Sequence, residues 1–204
     1  ANFSSSGVVT VFMKRRLFLQ GTLGSAAVVA LGTTIGSGGS VRAEKGQTGM
    51  LQDIQENWRE LLPEGFDTVS PQDKLELSRD EWRSRLSDPL AFDVLRKEAT
   101  ERPFTSDLND EKRPGVFLCA GCDLPVFSSE MKFDSGTGWP SFFTTIPGAF
   151  ETKRDFKLVL PRTEYHCARC GGHHGHVFKD GPEPTGQRWC NNGAALRFVA
   201  KGAA

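Results

Sequence analysis

The spacing of apolar positions changes character along this chain. From Leu17 to about Ile35 it is a weakly apolar run rich in Gly, Ala, Val and Thr, followed by a Gly/Ser cluster at 36–40. Between Glu44 and about Ser70 only Leu51, Ile54, Trp58, Leu61 and Leu62 keep helical spacing, which predicts a linker with one helical turn or two. Ser78, followed by Asp80-Glu81-Trp82 and then Leu86, predicts a capped helix, because a Ser hydroxyl and a Glu three residues on satisfy free first-turn amides. A second helix is predicted over Phe92–Lys97. After Pro103 the apolar residues come in short bursts between Gly, Pro, Asn and Asp: Val116–Cys119, Val126-Phe127, Phe142–Ile146, Phe156–Leu160, Tyr165–Ala168 and Leu196–Val199. Such bursts predict antiparallel sheet. With no internal repeat and no alternation of helix and strand, the expected class is α+β, mainly β: short N-terminal helices, then a small antiparallel β core.

Composition changes this picture little. At 204 residues and 38% hydrophobic the chain can build one core plus an end segment. Lys plus Arg balance Asp plus Glu at 25 each, so no net field gathers nucleic acid or holds the chain on an anionic membrane. The N-terminal run is more informative. Met13 is followed by Lys14-Arg15-Arg16, then Leu17-Phe18-Leu19, then the weak apolar run, which resembles a twin-arginine export signal. A small-residue cleavage point falls after Ala43, with Val41 and Ala43 at the two positions that matter. Residues 1–12 carry no usable pattern and are set aside. The expected layout is an upstream and signal segment over 1–43, a linker with a short helix over 44–70, and a folded domain over 71–204. The expected location is the periplasm, with a tether to the membrane if the signal stays on.

Five cysteines divide four to one. Cys119-Ala-Gly-Cys122 and Cys167-Ala-Arg-Cys170 each present two thiolates at the spacing of a metal knuckle, and together they supply a closed tetrahedral set. A closed site leaves no position for substrate, so the ion, zinc by preference over iron, would stitch two distant hairpins together. Two disulfides are the alternative in an oxidising compartment. Cys190 stands alone as a candidate nucleophile, and Arg188, two residues earlier, shares its face if the segment is a strand, where a cation favours the thiolate. Three of the four histidines lie at His173, His174 and His176, with side-chain pKa values ordinarily near about 6.5, suited to moving protons.

The stretch Cys170-Gly-Gly-His-His-Gly-His-Val-Phe-Lys-Asp-Gly-Pro, the stretch Arg188-Trp-Cys-Asn-Asn-Gly-Ala-Ala-Leu-Arg-Phe, the segment Gly136-Thr-Gly-Trp-Pro-Ser-Phe and Thr100-Glu-Arg-Pro-Phe together resemble the methionine-R-sulfoxide reductase B family from about Leu77 to Phe198. The resemblance implies reduction of peptide-bound methionine (R)-sulfoxide, with Cys190 attacking sulfur and becoming a sulfenic acid. It implies proton delivery by His173 or His176, hydrogen-bonding support from Asn192, orientation of a histidine or Arg188 by Asp180, and a methyl-holding wall at Trp139. His174 and Asn191 stand where the family usually has apolar residues, and Gly193 where it commonly has Ser. Thr137 replaces the resolving cysteine of many members. An external reductant, a thioredoxin-like protein or a small thiol, is therefore expected to act directly on the sulfenic acid. Oxidised proteins or peptides are the expected partners, and a monomer the expected assembly. Two rivals are a non-catalytic zinc-bearing β binding module and a thiol oxidoreductase using a C-x-x-C pair; neither needs Cys190, Arg188, Asn192 and Trp139 together.

Overall fold

The fold was obtained as a computed structural model that describes residues 38–155 and 162–202, with side chains from residue 46. The signal segment up to residue 37 and the strand predicted over 156–160 lie outside the described residues. Helix α1 spans Gly38–Glu56 and runs into a 3-10 turn at Asn57–Leu61, more helix than the one or two turns expected. Trp58 is buried, and Ile54, Leu61 and Leu62 pack against the same hydrophobic core, so tertiary docking holds a helical segment whose glycines disfavour it. Among the described residues no helix is long and apolar enough to cross a membrane.

Helix α2 spans Arg79–Arg85 and carries the expected capping box: the Ser78 hydroxyl accepts from the Glu81 amide while the Glu81 carboxylate accepts from the Ser78 amide. Helix α3 spans Pro89–Lys97, opened by an Asp88 cap with Pro89 at the first position. It buries Ala91, Phe92, Val94 and Leu95, and ends where Glu98 turns left-handed at φ 56°.

Nine strands follow among the described residues. In chain order they are β1 (Gly115–Cys119), β2 (Pro125–Ser128), β3 (Lys132–Phe133), β4 (Ser141–Phe142), β5 (Phe150–Asp155), β6 (Arg162–Cys167), β7 (His173–Phe178), β8 (Arg188–Asn191) and β9 (Leu196–Ala200). They form a three-stranded sheet β2-β1-β9 and a six-stranded sheet β3-β4-β8-β7-β6-β5, with every described pairing antiparallel. The expected mainly β, antiparallel architecture is present. The predicted strand over Phe142–Ile146 is short, ending at Phe142, because Ile146 and Ala149 enter a turn.

An aromatic column joins the sheets. Phe117 meets Phe142 edge-on at 5.1 Å, and Phe127 stacks on Phe142 at 3.8 Å. Phe150 continues the column to Tyr165 at 4.8 Å, and Tyr165 to Trp189 at 4.9 Å. Because side chains alternate along a strand and directly paired residues share a face, the register sorts the large sheet cleanly. Phe142 pairs with Trp189 and Trp189 with Val177, all toward the column. The intervening residues point to the other face, and that face carries the ionisable groups.

Candidate active site and metal centre

On that second face Ser141 pairs with Cys190, Cys190 with His176, His176 with Glu164, and Glu164 with Lys153. One row across five strands therefore places the lone cysteine directly opposite a histidine. The neighbouring row pairs Phe178 with Arg188. The sequence spacing of His173 and His176 would set them on opposite faces of a regular strand. A register shift between Tyr165 and His166 removes the problem: Tyr165 pairs with Gly175 and His166 with His173, leaving His174 as the extra residue of a bulge. His173 and His176 thus come to one face, their ring centroids 5.5 Å apart, while His174 turns into the aromatic core, 5.0 Å from Phe150.

Cys190 is part-buried, and burial pushes its thiol above the ordinary range; Arg188 and a hydrogen bond with the Thr137 side chain pull it back down. Arg188 is itself fixed by a bidentate pair with Asp180, Nε to Oδ1 and Nη2 to Oδ2 both at 2.9 Å, and by the Phe178 ring 4.3 Å away. Asp180 therefore orients Arg188. The partner of His176 is Asp155, which accepts from Nε2 at 3.0 Å and also from Arg162 at 2.7 Å. His173 is 1% exposed, and burial lowers its pKa to about 3, so its ring is neutral at working pH.

Trp139 lies two residues before Ser141, the β4 residue opposite Cys190. Its indole N–H donates to the Glu101 carbonyl at 3.1 Å. The Asn192 side chain reaches no reacting group: its oxygen accepts from the Glu101 amide at 2.9 Å and its NH2 donates to the His174 carbonyl at 2.8 Å. Asn192 braces the site from behind.

Glu101 is the residue that pattern reasoning passed over. It is 4% exposed, and its carboxylate accepts from the Gly193 amide at 2.6 Å and the Ala194 amide at 2.8 Å. Through its side chain it holds the turn after Cys190, and through its backbone it holds Trp139 and Asn192. A buried acid within a short polar loop was the available signal, but the loop alone does not reveal its distant partners.

The departures from the family pattern explain one another. Asn191, 0% exposed, accepts on Oδ1 from the Tyr165 hydroxyl at 2.9 Å and pairs with His174 Nδ1 at 3.1 Å. Two polar residues at apolar positions thus satisfy each other, and the same hydroxyl lies 3.1 Å from the Cys190 carbonyl. Gly193 is required by Ser106: a Cβ at 193 would lie 1.9 Å from the Ser106 hydroxyl. The serine expected at 193 has no room because another serine side chain fills it.

The four remaining cysteines gather elsewhere. Cys119, Cys122, Cys167 and Cys170 are buried, and their sulfurs lie within 4.8 Å of one another. Cys119 to Cys170 is 3.7 Å and Cys122 to Cys167 is 3.5 Å, and none of the five cysteines forms a disulfide. Zinc–sulfur bonds of about 2.3 Å put the sulfurs of a regular tetrahedron about 3.8 Å apart, so the cage fits a zinc-sized ion. The thiols crowd one another: hydrogen bonds from the other three hold Cys170 well below the usual thiol range and push Cys119 well above it. Arg96, stacked on Trp82 at 4.3 Å, donates to the Cys170 carbonyl at 3.0 Å and ties α3 to the cage.

A fold of two antiparallel sheets joined at a four-cysteine cage, with a reactive face around a single cysteine, defines the class. The SelR domain family matches residues 87–200, more than half of the chain, and the chain belongs to that family. It is 45% identical over 139 residues to the chloroplastic peptide methionine sulfoxide reductase B1 of Arabidopsis thaliana, covering 68% of each chain. It is 47% identical over 135 residues to peptide methionine sulfoxide reductase MsrB of Bradyrhizobium diazoefficiens, covering 66% of this chain and 96% of that one. With the MsrB of Pseudomonas putida it shares 50% identity over 126 residues, 61% of this chain and 94% of that one.

Proposed function

We propose that this protein reduces methionine (R)-sulfoxide in peptides, with Cys190 as nucleophile. The observation that carries the reading is the register that pairs Cys190 with His176 on the ionisable face. Family membership, and relatives named peptide methionine sulfoxide reductases, support the same activity.

Trp139 offers the sulfoxide methyl group a flat apolar wall. The Cys190 sulfur attacks the sulfoxide sulfur while a proton reaches the sulfoxide oxygen. His176 suits that delivery because it stands opposite the nucleophile, whereas His173 stays neutral. The S–O bond breaks as the oxygen passes to Cys190: methionine gains two electrons and is released, and Cys190 is left as sulfenic acid. An external thiol then attacks that sulfur, expelling water and forming a mixed disulfide, and a second thiol frees Cys190. Thr137 and the caged cysteines leave no internal partner for this step. Cys119, Cys122, Cys167 and Cys170 would hold one zinc ion, which supplies a cross-link between hairpins and no chemistry at the reacting sulfur. The twin-arginine-like segment at 14–19 supports export to the periplasm, and finding the protein only in the cytosolic fraction of expressing cells would remove that part of the reading.

Single-turnover assays on separate R and S epimers of a methionine-sulfoxide peptide, with dithiothreitol, test the activity. The expected result is conversion of the R epimer alone, lost in Cys190→Ser. Conversion of neither epimer by folded, zinc-loaded protein would sink the reading.

A further inference from the structure

Beside the reactive row, on the paired strands β6 and β7, lies a second group of metal-ligating side chains. Glu164, His166 and His173 present donor atoms within 4.8 Å of one another. Glu164 and His173 are 3% and 1% exposed. The His173 Nδ1 lies 3.5 Å from a Glu164 oxygen, and the His166 and His173 rings meet at 5.3 Å.

What singles this group out is what its nitrogens lack. Neither ring nitrogen of His173 has a hydrogen-bond partner, nor does His166 Nε2, whose nearest acid, Glu98 Oε1, is 3.7 Å away. Buried polar atoms are almost always paired, so unpartnered nitrogens on two rings beside one carboxylate mark a place for a ligand. The overlapping set of Asp155, Glu164 and His176 is different, because Asp155 already receives Arg162 and His176. Two imidazoles and a carboxylate, with further positions open to water, suit a first-row divalent ion such as zinc, cobalt or nickel.

Lys153 shows why such a site can fill reversibly. Its ammonium lies 2.8 Å from Glu164 and 3.1 Å from Glu98, and its side chain is 54% exposed. It stands as the resident cation on the edge strand β5 and can swing out to water when a metal takes its place.

We propose that Glu164, His166 and His173 form a second divalent-cation site, whose occupancy engages Glu164 and His173, the neighbours of His176 on the reactive face, and slows the enzyme. Binding stands on the geometry alone, while the slowing rests on the reductase activity proposed above. Cobalt(II) titrated into the zinc-loaded full chain tests binding. The expected outcome is one bound equivalent, with weak visible ligand-field bands and no thiolate-to-cobalt charge-transfer band. Affinity is expected to fall at least tenfold in His166→Asn and to rise in Lys153→Met, with His174→Leu, on the opposite face, unchanged. A thiolate charge-transfer band, no uptake, or equal affinity in His166→Asn would overturn the site. In the sulfoxide assay zinc added beyond the cage equivalent is expected to inhibit wild type and to need at least tenfold more metal against His166→Asn, whose rate without added metal matches wild type. Equal inhibition of the two would overturn the regulatory role. If no sulfoxide is reduced at all, the cobalt spectra still decide whether the site exists.

Discussion

Two regions of this molecule use the same residue type to opposite ends. At the cage, four cysteines are buried with sulfurs 3.5 and 3.7 Å apart across the hairpins, each thiol facing the others. At the reactive face, Cys190 stands alone in its row, half shielded, with a cation and a hydroxyl beside it. Mutual proximity suits the first set to a shared cation, whereas isolation beside Arg188 suits Cys190 to the nucleophilic role proposed above. What a cysteine does here is decided by its neighbours on the sheet, and by burial only in part.

The sharpest way to break the comparison is to remove one cysteine from each region. Cys122→Ser takes one ligand from the cage and is expected to abolish cooperative thermal unfolding and zinc retention, since structural zinc can supply on the order of 10 kcal/mol to folding. Cys190→Ser is expected to melt like wild type. Comparable melting curves for the two variants would show that the cage does not hold the fold. Next in size comes acid sensitivity. Burial lowers the His174 pKa to about 4, so the folded state excludes a proton that the unfolded chain binds near about 6.5. Its contribution is complete above pH ~6.5 and is lost as pH falls toward 4, about 3 kcal/mol in all. Urea unfolding at pH 7 and pH 4.5 is expected to show a smaller loss in His174→Leu than in wild type. An equal loss in both would assign the acid sensitivity elsewhere.

How much of this was legible in the sequence follows from the range of each interaction. The Ser78–Glu81 box, the two knuckles and the lone Cys190 were readable because each is written within a few residues. Strands β5, β7 and β8 were not placed as strands, because their charged and histidine-rich faces lack an apolar alternation. The bulge at His174 was unreadable for a stronger reason: a single extra residue inverts the facing of all that follows, and only pairing with β6 reveals it. Asn192 drew attention through its motif, yet its observed partners are Glu101 and the His174 backbone, far off in sequence. Glu101 itself ties its own loop to Trp139 and to Asn192–Ala194, and no local window contains them.

That role gives a smaller prediction. Glu101→Gln keeps the shape but turns an amide N–H toward the Gly193 or Ala194 N–H that the carboxylate now accepts. Loss of one charge-assisted hydrogen bond with a buried donor left facing another costs about 2 kcal/mol. A stability change below about 0.5 kcal/mol, within the range of ordinary surface substitutions, would show that the turn after Cys190 holds itself.

The smallest effect tests the electrostatic half of the comparison. Burial raises the Cys190 thiol, Arg188 lowers it, and Asp180 opposes Arg188 at longer range while orienting it. Arg188→Met keeps a long side chain against Phe178 but removes the charge, leaving the exposed Asp180 carboxylate to act alone. The thiolate then loses its cation, so the midpoint of iodoacetamide alkylation against pH is expected to move up by about one unit. Below that midpoint the thiolate fraction, and with it the alkylation rate at neutral pH, falls about tenfold. Asp180→Asn removes a raising charge and loosens the Arg188 fork at once, two effects of opposite sign, so its midpoint is expected to move less. If Arg188→Met leaves the midpoint where it is, the thiol is set by burial and Thr137 alone, and the contrast with the cage reduces to the presence or absence of neighbouring sulfurs.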